Sequence, residues 1–342
     1  MIKIGSYDFD ILSDMFITGA DQTKAELRVP EIRGVLRWWF RVFGGFKSDS
    51  RTVKEQERMI FGSVHSDGGR DEKCIRSSLI LRVEEKKLQA DKKEANDYFL
   101  FPLHKNARGY FRPTQKAFTL NVLWDGVACP EKDLEALITV FGNLGSLGMR
   151  TRRCYGAIAF SDNNELMLLK EALRYFNAPD AIEIKMYNES FRTVDSCIQE
   201  AMAWLKGWRS VGPANKRNKR RGMEHGEDVR SFAWRDHEIG RGTCDMPAVR
   251  PALGMPLLQK YGKELSPAKE GQERFASPVM LRPTRDGNQF KLLVLFVEKY
   301  KWDVQDPIKI KTLGKEHNVE HNVSLELYNA MKNDSTLIDF TF

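Results

Sequence analysis

An α+β fold is what this chain of 342 residues predicts, and three observations predict it. Runs with the two-residue apolar period of strands and runs with the 3.6-residue period of helices both occur. Over residues 1–161 they follow the order strand, helix, strand, strand, helix, strand. The length also exceeds what one ordinary domain needs, so two domains, 1–161 and 162–342, are the default.

The first strand is read from SYDFDILSDMFIT, Ser6 to Thr18, where Tyr7, Phe9 and Ile11, then Met15 and Ile17, alternate with polar residues. Pro30 then stands where a first helical turn tolerates it, and Ile32, Val35, Leu36, Trp39 and Phe43 recur at helical spacing up to Gly44-Gly45. VKEQERMI predicts a short second helix over Thr52–Ile60. IRSSLILRVEE and AFTLNVLW, the latter Ala117–Trp124 and closed by Asp125-Gly126, predict two strands, with a long, partly mobile connection between them. Pro130 opens a helix with Leu134, Leu137, Ile138 and Phe141 on one stripe, and CYGAIAF supplies the last strand. This order is the split βαβ arrangement of a ferredoxin-like, RRM-like βαββαβ domain.

Beyond Ser161, ELMLLKEALRYF and VDSCIQEAMAWLKGW read as helices. PVMLRPT and NQFKLLVLFVEKY read as strands joined at Asp286-Gly287, a hairpin signal. Segment 210–242 is charged, glycine-rich and poor in apolar residues, and is expected to order in part only on binding.

The apolar fraction of 42% against 30% charged residues fits a water-soluble globular protein, and no run approaches the ~20 apolar residues of a membrane span. Asp8, Asp10 and Asp14 interrupt what a secretory signal would need, so a cytoplasmic location is expected. Five scattered cysteines without a C-x-x-C pair indicate neither a disulfide framework nor a zinc site, and no cofactor or metal is expected. A net charge of +7 favours an anionic partner. The basic residues cluster at Arg33–Arg41, at Arg150–Arg153, and in NKRNKRRG at 215–222.

The stretch GNLGSLGMRTRR concentrates this chemistry. Gly142, Gly145 and Gly148 are expected to break the helix and to let backbone N–H groups approach a ligand, while Arg150, Arg152 and Arg153 supply guanidinium forks for phosphate. The glycines follow a helix and no Lys-Ser/Thr appears, so this is not a nucleotide P-loop. On the first helix, Arg33, Arg37 and Arg41 form a stripe of like charges that an anion, or acids from elsewhere in the fold, should offset. Trp38 and Trp39 are expected mainly in the core, since adjacent residues face different ways and at least one must be buried.

His65, His104, His225, His237, His317 and His321 are scattered; only the last two share i, i+4 spacing, and HNVEH lacks the H-E-x-x-H order. His225 and His237, near Asp228 and Asp236, leave open an acid–base route to RNA cleavage without metal.

ITGADQTKAELRVPEIRGVLRWWFRV, ERMIFGS, GNLGSLGMRTRRCYGAIAF and RFASPVMLRP, in that order from residue 17 to residue 283, together resemble the RAMP superfamily of CRISPR-associated proteins. Within it they are most similar to the subunit-one family of the type III-B Cmr effector complex. The resemblance implies two ferredoxin-like domains with a glycine-rich loop after the last helix of the first. It also implies a non-catalytic subunit of an antiviral complex, near the 3′ end of the guide RNA, with other Cmr subunits as partners and target RNA left open. Carried over by residue, the ligand-facing positions are Arg33, Arg37, Gly145, Gly148, Arg150, Arg152 and Arg153. Arg41 joins them from the same stripe; Lys216, Arg217, Lys219 and Arg220 are RNA-binding candidates on charge alone. For Arg274 and Arg282 a structural role stays equally open. Two other readings remain: a metal-independent endoribonuclease using His225 or His237, and a structural cap acting mainly through protein contacts.

Overall fold

The chain is described by a computed structural model over residues 2–63, 74–94, 97–100, 103, 107–162, 168–209, 228–259, 263–312 and 315–340. The basic run with Lys216, Arg217, Lys219 and Arg220, together with His65, His104 and His225, lies outside the described residues.

The first sheet is built from β1 (Ile2–Ile11), β2 (Leu79–Glu85), β5 (Thr114–Trp124) and β6 (Ile158–Phe160), in the order β2-β5-β1-β6. Every neighbouring pair is antiparallel. Phe9 sits opposite both Phe118 and Phe160 and stacks on their rings, with centroids 5.2 and 4.9 Å away. Three helices of this half are α1 (Val29–Val42), α2 (Val53–Phe61) and α3 (Glu131–Leu144). α1 and α3 lay Ile32, Leu36, Leu137 and Phe141 into the same core as Phe9, Leu81 and Leu120. The α2 start is set by Thr52, which forms a reciprocal capping box with Glu55.

Three expectations change in this half. β1 stops at Ile11, where its register against β5 slips after Phe9; Leu12, Met15, Phe16 and Ile17 stay buried in irregular backbone. Gly142 does not break α3 but lies within it, because the Phe160 ring packs where a Cβ would stand, 1.9 Å from the ring's Cε2. The long connection contains a two-stranded sheet, β3 (Ala90–Lys93) with β4 (Arg108–Phe111).

The second half follows α4 (Leu169–Leu173), which begins eight residues past the expected boundary at Ser161. Its sheet is formed by β7 (Ile182–Tyr187), β10 (Val279–Asp286), β11 (Gln289–Val297) and β14 (Leu337–Asp339). The order β10-β11-β7-β14 repeats that of the first sheet: counted along the chain, both read second, third, first, fourth strand. α5 (Val194–Arg209) and α7 (Glu326–Lys332) occupy the two helical places between these strands.

Alternate residues of β10 and β11 go to opposite cores. Met280, Leu293 and Leu295 join the core of the first half, while Val279, Leu281, Leu292, Val294 and Phe296 join α5 and α7. A sheet buried on both faces needs near-continuous apolar strands, which is how NQFKLLVLFV reads.

A third sheet was not expected. β8 (Leu257–Gln259), β9 (Lys263–Pro267), β12 (Ile308–Thr312) and β13 (Lys315–His321) form it in the order β13-β12-β9-β8. With α6 (Asp228–Arg241) it encloses a small core of Ile239, Ala248, Leu265, Trp302 and Ile308. His317 and His321 therefore lie on a strand, and their spacing has no helical meaning. Among the described residues no helix is long and apolar enough to cross a membrane.

Candidate nucleic-acid interface

The glycine-rich loop is held by close backbone contacts that only glycine permits. Gly148 has φ +86°, and a Cβ there would stand 2.3 Å from the Phe16 carbonyl oxygen, beside the Met149 N–H that donates to that carbonyl at 2.7 Å. Gly145 caps α3 and its carbonyl accepts a hydrogen bond from Arg282 Nε at 3.2 Å. Arg150 itself has φ +63°, and Cys154 +70°, so the loop is tightly coiled where it meets the second half.

There the loop docks along β10. Cys154 N–H donates to the Leu281 carbonyl at 2.8 Å and Leu281 N–H to the Arg152 carbonyl at 3.2 Å. Arg153 is almost wholly buried, and its guanidinium donates to the Arg152 and Val279 carbonyls at 2.7 and 2.9 Å. Arg282, 1% exposed, reaches back from β10 to the carbonyls of Gly145 and Ile158 and to that of Pro283. Burial pushes both guanidinium groups down from the ordinary arginine value. The two buried arginines thus tie one half of the chain to the other, and neither side chain faces solvent for a ligand. Asp10 of β1, also buried, adds an ion pair to Arg285 of β10 at 2.6 Å.

Arg152 points the other way. Its guanidinium lies 5.4 Å from the Trp38 ring centroid and donates to the Ser277 carbonyl. Gly34, Val35, Trp38, Ser146, Thr151 and Arg152 line a cleft of about 170 Å³ between α1 and the loop. Trp39 is in the core, 1% exposed, but Trp38 is only half-buried and stacks on Tyr300, centroids 6.0 Å apart at 26°. The tryptophan pair is therefore split between core and cleft. Gly34 is exposed inside α1 with nothing near its Cβ position, so the cleft is open to the helix backbone at that point.

The basic stripe on α1 is largely offset from within. Arg33 donates to the Phe61 and Leu79 carbonyls at 3.2 and 3.4 Å, and burial with the Arg37 charge nearby pushes its guanidinium down. Glu57 of α2 takes Arg37 at 2.7 Å and Arg41 at 3.8 Å. Of the expected site residues, then, Arg37, Arg41, Arg150 and Arg152 keep partly exposed charge, Arg153 is internal, and Gly145 and Gly148 shape the loop. Exposed Arg274 precedes Phe275, which makes an isolated bridge to Met255, and lies apart from the cleft lining. Gly34 in the cleft lining, and Tyr300 stacked on Trp38, carried no signal in the sequence.

Two arrangements bear on other chemistry. The open face of the first sheet carries Ser6, Asp8, Arg82, Glu84, Thr119 and Asn121, so it offers no aromatic platform for bases. Asp236, completely buried, accepts from Val249 N–H, Arg250 N–H and Arg250 Nε, each at 2.9 Å, so its carboxylate anchors the backbone after α6. Among the described residues no group of three or more His, Cys, Asp or Glu is placed to hold a metal.

Residues 8–159 match the RAMP superfamily. Cmr subunit Cmr1-2 of Pyrococcus furiosus is 26% identical over 194 residues, 47% of this chain and 97% of that protein. Cmr subunit Cmr1-1 of the same organism is 46% identical over a stretch of 41 residues, 12% of its length. The apo crystal structure of Cmr1 from Pyrococcus furiosus shares the fold, with a TM-score of 0.53 at 13% identity, covering 97% of both chains.

Proposed function

With residues 8–159 in the RAMP superfamily and the chain similar to first subunits of Cmr systems, we propose that this protein is a non-catalytic, RNA-binding subunit of a type III-B CRISPR effector complex. The observation that carries the reading is the convergence of two sequence stretches, α1 and the glycine–arginine loop, on one cleft where Arg152 lies over Trp38. A guanidinium beside a half-exposed indole suits a nucleic-acid strand: the cation takes a phosphate and the ring takes a base face. Arg37 and Arg41 keep partly exposed charge on the same helix as Trp38, beside Glu57.

The strand order of both large sheets, with helices between the first and second and the third and fourth strands, supports two ferredoxin-like units, 1–161 and 162–342. Placement near the guide's 3′ end, contact with other subunits, a part in antiviral defence and a cytoplasmic location rest on the resemblance. Sequence reading would belong to base pairing by the guide, with this subunit holding the backbone.

The test is anisotropy of labelled single-stranded RNA with the full chain, wild type and Arg152→Gln, over a salt series without divalent metal, each sample then run on a denaturing gel. Intact RNA whose affinity falls with salt, and falls less steeply in the variant, supports the reading. Cut RNA, or no binding by the wild type, refutes it.

A further inference from the structure

Ser146 opens the loop after α3 and is 6% exposed, yet its polar groups have no hydrogen-bond partner among the described residues. Its bridge to Ala157 is closed by the residues on either side: Leu147 N–H donates to the Gly156 carbonyl at 2.8 Å, and Ile158 N–H to the Gly145 carbonyl at 3.4 Å. In such a pair the two central residues turn their own N–H and C=O away from each other. The Ser146 N–H, C=O and Oγ are therefore all left over, at a residue that lines the cleft beside Trp38. Buried backbone groups are almost always paired, so a donor and an acceptor left together on one edge call for an occupant.

The rest of the cleft says which kind. Val35, Trp38, Leu144 and Met280 give it apolar walls, and its volume of about 170 Å³ is close to the roughly 150 Å³ of a cavity that takes up benzene. It has room for one aromatic ring. Gly34, on the α1 side, has open space where a Cβ would stand. A glycine inside a helix costs about 1 kcal/mol against alanine, and here the missing side chain keeps the slot clear. Arg152 spends a donor on the Ser277 carbonyl and pairs with no carboxylate among the described residues. A phosphate would complete Arg152, but it has no proton to give the Ser146 carbonyl and no apolar surface for the walls. A water would serve Ser146 and leave the walls unfilled.

We propose that the cleft is a pocket for one nucleobase, unstacked from an RNA strand and inserted between α1 and the loop, with its polar edge on Ser146 and a phosphate of the same strand at Arg152. The proposal rests on the RNA-binding reading and deepens it. Every nucleobase presents a donor beside an acceptor on its Watson–Crick edge, which is the complement of one backbone N–H and C=O. Ser146 therefore selects a base over a sugar or a phosphate without fixing which base.

The test compares binding of the full chain to labelled oligouridylate and to a strand of the same length built from stabilised abasic residues, for wild type and Gly34→Leu, with melting curves as folding control. The wild type should bind oligouridylate roughly tenfold more tightly, the size of a single buried base contact. Gly34→Leu fills the slot: it should bind oligouridylate as weakly as the wild type binds the abasic strand, bind the abasic strand unchanged, and melt no lower than the wild type. Equal wild-type affinity for the two strands overturns the pocket and leaves the RNA-binding reading standing, as does a Gly34→Leu protein that keeps the full preference or weakens on both strands alike. Where the wild type binds neither strand, the RNA-binding reading fails, and saturation-transfer NMR with uridine monophosphate decides the pocket alone. Transfer to the uracil ring protons that is lost in Gly34→Leu supports it, and no transfer overturns it. Should Gly34→Leu not fold, the unbranched side chain of Gly34→Met fills the same slot and must remove the preference in the same way.

Discussion

Arg152 and Arg153 are neighbours in sequence and opposites in the fold. Arg153, with Arg282, is enclosed between the halves and surrounded by carbonyl oxygens; Arg152 lies over an indole at a cleft edge. In the joint, guanidinium forks act as internal cross-links whose removal takes charged donors from buried carbonyls. At the cleft the same chemistry spends one donor on the Ser277 carbonyl and lays the half-exposed guanidinium over the Trp38 ring. A basic cluster in a sequence is thus two kinds of site at once, and burial alone sorts them.

The largest effect should come from the joint. Arg282→Ala removes a buried guanidinium that donates to three carbonyls and should cost about 3–5 kcal/mol of stability, read as a lowered urea midpoint. If instead it leaves stability unchanged and weakens RNA binding, the comparison is broken. Gly148→Ala comes next, at about 1–3 kcal/mol, because φ +86° and the Phe16 carbonyl both oppose a Cβ; thermal unfolding checks it. Arg152→Gln should lower RNA affinity roughly tenfold, about 1.4 kcal/mol, with the urea midpoint shifted far less than in Arg282→Ala. A stability loss as large as that of Arg282→Ala would merge cleft and joint into one.

The smallest effect at neutral pH appears only in alkali. Burial raises the Cys197 thiol from 9.0 to about 12 and the Tyr7 phenol from 10.0 to about 12, and it raises Cys154 and Tyr155 as well. A folded-state value above the unfolded one means the unfolded chain loses its proton first. Stability from these groups is complete below about pH 9 and is lost as pH climbs toward 12. Urea midpoints between pH 8 and 11 should fall, and fall less in Cys197→Ala measured against its own value at pH 8.

The elements of the first half were legible because their apolar periods are local: α1, α3 and β5 follow from Ile32, Leu36, Leu134, Leu137 and the AFTLNVLW run. The β10–β11 hairpin was legible from Asp286-Gly287, and Gly287 has φ +57° at the turn. β7, β14 and the whole third sheet were not, since these strands are short or charged and gain their place only by pairing with distant partners. At the site, the glycine–arginine loop and α1 could be found in the text of the chain. Which arginine faces out could not, for IRGVLRWWFR and MRTRR look alike along their length.

What the sequence determined by itself was the supply of parts: helices and strands with their own periods, glycines at the loop, and an excess of cations near two of them. What only the tertiary structure decided was their assignment. Burying β10 and β11 on both faces drew Arg153 and Arg282 inside, where carbonyls from segments more than 120 residues apart replace water as their hydrogen-bond partners. Charge is a property of the residue, but the dielectric and the acceptors that give a charge its role come from neighbours that are remote in sequence.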